Sequence, residues 1–254
     1  MVRGIARVAL LMVLIGSAAA CTAGEPVASG TSRTLVVSAA ASLAAPFGEL
    51  ALDLEAAAPG LDVQVNVGSS TALAQQILDG APAGVFASAA PRPMASLGDR
   101  AVDVREFAVD DLVLAVPAGN PGRVSATVDL ARPELRVGLC APGVPCGDFG
   151  RSALQEAGVT PSVDTDEPDA GSLLAKVRLG ELDVAVLYRT QVRAAGSDVE
   201  LVELSPPSDL RVVYLIAALR TPDGSPPSDD ARAFVDLVLG PGSATLRAAG
   251  YGMP

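Results

Sequence analysis

The sequence predicts an α/β fold in which parallel sheets are joined by crossover helices. Three observations predict it. Strand-like apolar runs alternate with segments of helical period from about residue 33 to the end. Half of the 254 residues are hydrophobic, yet only 3% are aromatic and Trp is absent. Such a core is built from Ala, Val and Leu, whose small side chains let helices lie close to sheets. The third observation is a recurring junction, in which a buried strand runs through small residues into a helix start.

The first junction is TLVVSAAASLAAPFGEL, residues 34–50. Leu35, Val36 and Val37 form the strand, residues 38–41 the turn, and Ser42 caps a helix to residue 58 with Leu43, Phe47, Leu50 and Leu54 at helical spacing. Residues 61–67 alternate as a strand, then Gly68-Ser69-Ser70 turns into a helix over 71–78. A short strand follows at 85–89, and 91–104 reads as helical or irregular. Residues 111–116 form a strand that ends at Pro117, and 127–131 a short helix. The strand at 134–139 enters CAPGVPCG, residues 140–147, before a helix from about 148 to 157. Residues 163–168 are strand-like only at their start, and Asp169 caps a helix over 170–179. Strands at 182–188, 201–204 and 211–218 and helices at 230–239 and 243–249 complete the chain. No composition shift marks a domain boundary.

Residues 1–20 read as a signal peptide: Arg3 and Arg7, an apolar run at 8–15 too short for a stable span, then small residues. Small residues directly before Cys21 resemble a bacterial lipobox, with Ala18 where Leu is usual, so Cys21 is expected to be lipidated; the other reading is plain secretion. Residues 21–32 form the lipidated Cys and a polar tether.

Lys and Arg total 18 against 29 Asp and Glu, for a net charge of −11. That balance argues against nucleic acid and anionic membrane surfaces as partners. Contact with a membrane is then expected only through the lipid. Histidine is absent, which removes the commonest general base and metal ligand. No nucleophile elbow, phosphate loop or dinucleotide fingerprint occurs. Paired carboxylates such as Asp110-Asp111 and Asp229-Asp230 read as solvated loop positions. Cys140 and Cys146 read as a disulfide pinning a loop of an exported protein. The rival is a reactive Cys146 at a helix start, where a thiol pKa falls, in an exported enzyme.

Helix starts after strands recur at Ser42, at Ser70, near Cys146 and near Ala170. Each leaves unpaired N–H groups, and in open α/β sheets ligands bind beyond the strand carboxyl ends. Converging, they would hold a small anion without any Lys or Arg: each helix start adds about 0.3–1 kcal/mol, and each bond to an ionised ligand about 1.5–3 kcal/mol. For one serine, capping is explanation enough. For four starts with small neighbours, a ligand is the better reading.

The segments LVVSAAASL (35–43), GSSTALAQQILDGAPAGVFASA (68–89), LVLAVPAGNP (112–121), VPCG (144–147), DVAVLY (183–188) and the terminal YG pair resemble the molybdate-binding proteins of ABC uptake systems, in family order across nearly the whole mature chain. The resemblance implies a type II periplasmic binding protein fold: two α/β lobes joined by two crossover strands, with the ligand in the cleft. Lobe one would be 33–110 plus 214–254, lobe two 111–213, and the crossings would lie at about 112–116 and 211–218. It implies that molybdate or tungstate is held by Ser42, Ser70, Cys146, Ala170 and Tyr188, the metal bound only as its oxyanion and no cofactor needed. It further implies delivery to an ABC permease by a monomer on the outer face of the cell membrane or in the periplasm. The chain departs from the pattern at Gly84, where GAPAD is more usual than GAPAG. The same-class rivals are a binder of another tetrahedral oxyanion such as sulfate, and a ferric-ion binder, for which only Tyr188 is well placed; a sensor or adhesion module is the remaining reading.

Overall fold

The computed structural model describes residues 33–254; the expected signal peptide and Cys21 lie outside them. Two five-stranded sheets carry the fold. In the first, β1 (Arg33–Ala40) pairs in parallel with β2 (Leu61–Gly68) and β3 (Val85–Ser88), and β10 (Val212–Leu219) lies antiparallel between β3 and β4 (Ala101–Asp110). In the second, β6 (Val137–Cys140) is parallel to β7 (Val163–Glu167) and β8 (Val184–Tyr188), and β5 (Leu112–Pro117) lies antiparallel between β8 and β9 (Val199–Val202). The all-parallel expectation is therefore corrected: each sheet is mixed. β10 and β5 each follow a passage from the other sheet and run antiparallel to β3 and β8, so the strands expected to carry the crossings each lie wholly within one sheet.

The two sheets share one plan. Their orders, β2-β1-β3-β10-β4 and β7-β6-β8-β5-β9, are the same sequence of roles. In the first, α1 (Ala44–Ala57) links β1 to β2 and α2 (Ser70–Leu78) links β2 to β3. In the second, α4 (Pro145–Glu156) and α5 (Ala170–Arg178) do the same for β6, β7 and β8. No sequence repeat announces this, because the helix–sheet geometry asks only for apolar residues of suitable size at each position. Chain passages between the sheets are short: β4 ends at Asp110 and β5 begins at Leu112. The return joins β9, ending at Val202, to β10, beginning at Val212.

Strand β4 stands where the sequence reads as helical or irregular to residue 104. Only α3 (Pro91–Ala95) and a short 3-10 turn are helical there. The strand lies at a sheet edge with Asp103, Val104, Arg105 and Glu106 exposed, so it lacks the apolar alternation that signals a strand. β7 likewise runs its full length on a second edge despite its acidic sequence. Helix α6 (Arg189–Ala194) follows β8 directly, and α4 begins at Pro145, with Pro in the first turn where its missing N–H costs nothing.

One contiguous apolar core runs through both lobes, and a smaller cluster around Leu73, Ile77, Phe86 and Met94 lies under α2 and α3. α7 (Asp229–Leu239) and α8 (Ser243–Ala248) pack on α1, with Phe234 edge-on to Phe47 at 5.5 Å. After α8 the tail bonds to β4, Gly252 and Val109 exchanging both backbone bonds at 2.8 and 2.9 Å, which fixes Tyr251 in place. At Gly84 a Cβ would stand 2.6 Å from Leu35 Cδ1, so a carboxylate there requires buried Leu35 to move. Gly147, in the first turn of α4, is tighter still: a Cβ would meet the backbone oxygen of Ala141. Backbone cannot give way as a side chain can. Gly147→Ala is expected to cost at least ~2 kcal/mol of stability by forcing that turn apart. Urea unfolding measures it, and a wild-type midpoint would contradict this packing.

Candidate functional site

The shared plan puts four equivalent junctions in play: the ends of β1 and β2 in one lobe, and of β6 and β7 in the other. All four meet at one small cavity between the lobes. Its walls are Ala40–Ser42 from the first junction, Gly68–Ser70 from the second, Pro145 and Cys146 from the third, and Asp169 and Ala170 from the fourth. Ala89, just after β3, and Tyr188, the last residue of its counterpart β8, complete it. Ser42, Ser70, Cys146, Ala170 and Tyr188 are thus brought together. The centre of a water-sized sphere has about 20 Å³ to move in. Adding the sphere's own radius of ~1.4 Å gives room for a round ligand of roughly 3 Å radius.

Two expectations about local structure are corrected. Ser42 does not cap a helix. It sits inside a 3-10 turn, Ala41–Leu43, that precedes α1, and makes no capping bond. Ser70 is the first residue of α2, not its cap, which is Ser69. Asp169 caps α5 as expected, its Oδ1 accepting from Ser172 N–H at 2.9 Å.

Freed from capping, both serine hydroxyls are held by other groups. Ser70 Oγ accepts from Ala89 N–H at 3.1 Å. Ser42 Oγ accepts from the Tyr214 hydroxyl at 2.9 Å, while the Tyr251 hydroxyl donates to the Ser42 carbonyl at 2.7 Å. With one acceptor position already used, each hydroxyl proton is left to point elsewhere, and the cavity is where it can go. Burial foremost, then the nearby charge of Asp110, keeps the Tyr188 phenol protonated far above neutral pH. Burial raises Tyr214 and Tyr251 in the same way. No hydrogen bond to another described residue takes up the Tyr188 hydroxyl, and Tyr188 lines the cavity. First-turn N–H groups of α2, α4 and α5 add backbone donors that have no partner within their helices.

Electrostatically the walls are nearly neutral. Asp169 is the one ionisable acid or base side chain of the lining apart from Tyr188, and both its oxygens are bonded to Ser172. No Lys or Arg lines the cavity. Among the described residues no three His, Cys, Asp or Glu come together to hold a metal ion. Cys140 and Cys146 are joined, their Cα atoms 5.6 Å apart, tying the end of β6 to the first turn of α4. This removes the free Cys146 thiol that the enzyme reading requires. Gly143 N–H donates to Asp148 at 2.8 Å within the same loop. The lobes also touch beside the cavity, where Thr71 Oγ1 donates to Gly143 O at 2.9 Å.

Sequence reasoning assigned no site role to Tyr214, Tyr251 or Ser69. The first two lie 172 and 209 residues from Ser42, so no local pattern links them. Their scarcity is the available signal: all three tyrosines of the chain are here.

Asp110, at the passage between sheets, is 5% exposed and accepts from Thr190 Oγ1 at 2.5 Å and from Asp111 N–H at 2.8 Å. Burial outweighs these bonds and raises its pKa to about 6. A carboxyl raised in the folded state binds its proton more tightly there than when unfolded. Stability therefore increases as pH falls from 7 to 5, by about 1 kcal/mol from this group. Asp129, Glu134, Glu167, Asp183, Glu203 and Asp223, all lowered by hydrogen bonds, lose their contributions at more acid pH. Melting temperature followed against pH should rise over that window in the wild type and flatten in Asp110→Asn; equal slopes in both would refute the assignment.

A family model described as bacterial extracellular solute-binding protein matches residues 35–252. A molybdate-binding protein of Mycobacterium tuberculosis is 32% identical over 251 residues, 95% of each chain. Among solved structures, the periplasmic molybdate-binding protein of Azotobacter vinelandii superposes with a TM-score of 0.72 at 23% identity, over 87% of this chain and 99% of that one. The sulfate-binding protein SubI of M. tuberculosis gives 0.69 at 19% identity, over 87% of each.

Proposed function

The chain belongs to the bacterial extracellular solute-binding protein family, and we propose that it captures molybdate, and tungstate with it, and delivers it to an ABC permease. One observation carries this reading: helix starts from both lobes, two oriented serine hydroxyls and a protonated phenol surround a cavity that no Lys or Arg lines. A ligand suited to it is small, round, anionic and an acceptor on every side. A tetrahedral dianion meets all four conditions. Neutral donors suffice because each bond to an ionised oxygen contributes about 1.5–3 kcal/mol.

Ser42 and Ser70 donate through hydroxyl and N–H, Cys146 and Ala170 through N–H, and Tyr188 through its phenol. Hydrogen phosphate carries a proton that needs an acceptor, whereas the donors assigned here are matched in full only by a ligand that accepts on every oxygen. Donors alone do not separate molybdate, tungstate and sulfate, all full dianions near neutral pH; cavity size is what must reject the smaller sulfate. The lobes that would close on the ligand are residues 33–110 with 212–254 and residues 111–211, a boundary two residues earlier than expected because β10 joins the first sheet from Val212. No bond in the ligand is made or broken, so the protein is a carrier and not an enzyme. Upstream, Cys21 takes a lipid and residues 22–32 tether a monomer at the outer membrane face.

Calorimetric titration with molybdate, tungstate, sulfate and phosphate tests the reading. One-to-one binding of the first two, with the others much weaker, is expected. Ser42→Ala, Ser70→Ala and Tyr188→Phe should each weaken molybdate binding by roughly tenfold or more. Preference for sulfate would reassign the ligand within the same class, and binding of none of the four would remove the oxyanion reading.

A further inference from the structure

Ser69 occupies the N-cap of α2, yet its hydroxyl makes no capping bond. The same chain shows what a capping serine does elsewhere: Ser228 accepts from Ala231 N–H at 3.1 Å at the start of α7. Ser69 is 9% exposed, and its Oγ is buried with no hydrogen-bond partner among the described residues. Two other side-chain atoms share that condition, Arg100 Nε and Gln191 Oε1, and neither residue lines the cavity. Ser69 does. A hydroxyl that is buried, uncapped and unpartnered is unfavourable wherever it occurs, and native proteins keep few. Its neighbours Ser42 and Ser70 have protein partners already; Ser69 alone of the three has none.

We propose that Ser69 is a further binding residue of this cavity, its hydroxyl donating to an oxygen of the bound tetrahedral dianion. The inference rests on the oxyanion reading above and extends it by a donor outside the set of Ser42, Ser70, Cys146, Ala170 and Tyr188. The chemistry is simple. A dianion presents acceptor lone pairs on all of its oxygens, so one more donor in the cavity wall finds a partner without displacing another. The same hydroxyl contributes nothing to the protein without ligand, because it neither caps the helix nor bonds to a neighbour. Its removal should therefore separate affinity from stability, which removal of a structural serine does not do.

The test compares Ser69→Ala with Ser228→Ala in the whole protein, reading molybdate affinity by calorimetry and ligand-free melting temperature by scanning calorimetry. Ser69→Ala is expected to weaken molybdate binding roughly tenfold, as loss of a bond to a charged acceptor does, with a ligand-free melting temperature equal to or above that of the wild type. Ser228→Ala should do the reverse, lowering the melting temperature and leaving affinity unchanged. Unaltered affinity in Ser69→Ala overturns the proposal while leaving the oxyanion reading intact. A fall in its melting temperature like that of Ser228→Ala, or failure to fold, also overturns it, because the hydroxyl is then structural. If the wild type binds no oxyanion, both readings fall together.

Discussion

Three α-helices and a 3-10 turn begin at one point, and each such beginning leaves N–H groups in need of an acceptor. Much of the structure is arranged around that need. The two lobes share a strand order, so the same two junctions occur in each and face one another across the cleft. Small residues at the turns, Ala40, Ala41, Gly68 and Ala170, let backbone approach where a larger side chain would stand in the way. Where a turn is under the greatest crowding, Gly147 and the Cys140–Cys146 bridge fix it. A cation in the cleft would attract any anion. Fixed neutral dipoles attract only one whose size and protonation suit their geometry, which is the more selective arrangement.

Around these junctions stands a second layer that sets the direction of the donors. Tyr214 and Tyr251 reach Ser42 from β10 and from the tail after α8, and Ala89 reaches Ser70 from the end of β3. Tyr214 and Ala89 each fill an acceptor position on a serine hydroxyl and so restrict where its proton can go, while Tyr251 holds the Ser42 carbonyl. The phenols are in turn held by aromatic neighbours: Tyr214 lies edge-on to Tyr188, Tyr251 and Phe107, and Phe107 reaches Phe47 in the core of lobe one. Core packing and donor orientation are therefore one continuous structure. The passage at Asp110 adjoins it through Thr190.

Legibility in the sequence followed the range of the interactions. The junctions were readable because strand period gives way to helical period across a few small residues, a wholly local signal. Their convergence needed the topology, which the alternation of elements and the resemblance both supplied. β4 and the far half of β7 were not readable, since edge strands carry charged residues where central strands carry apolar ones. Whether Ser69 or Ser70 begins α2 turns on a single residue at a helix end, the least determined boundary in any sequence. Hydrogen bonds spanning 172 and 209 residues leave no trace in local pattern at all.

The aromatic cluster has an optical consequence. The chain contains no Trp and only three tyrosines, and Tyr188, Tyr214 and Tyr251 all lie in contact at the cleft. Every photon of tyrosine emission from the protein therefore originates beside the cavity. The lobe surfaces and the outer helices contribute nothing to that signal. Intrinsic tyrosine fluorescence thus forms a native reporter of the cleft, with no label and no tyrosine background from elsewhere in the fold.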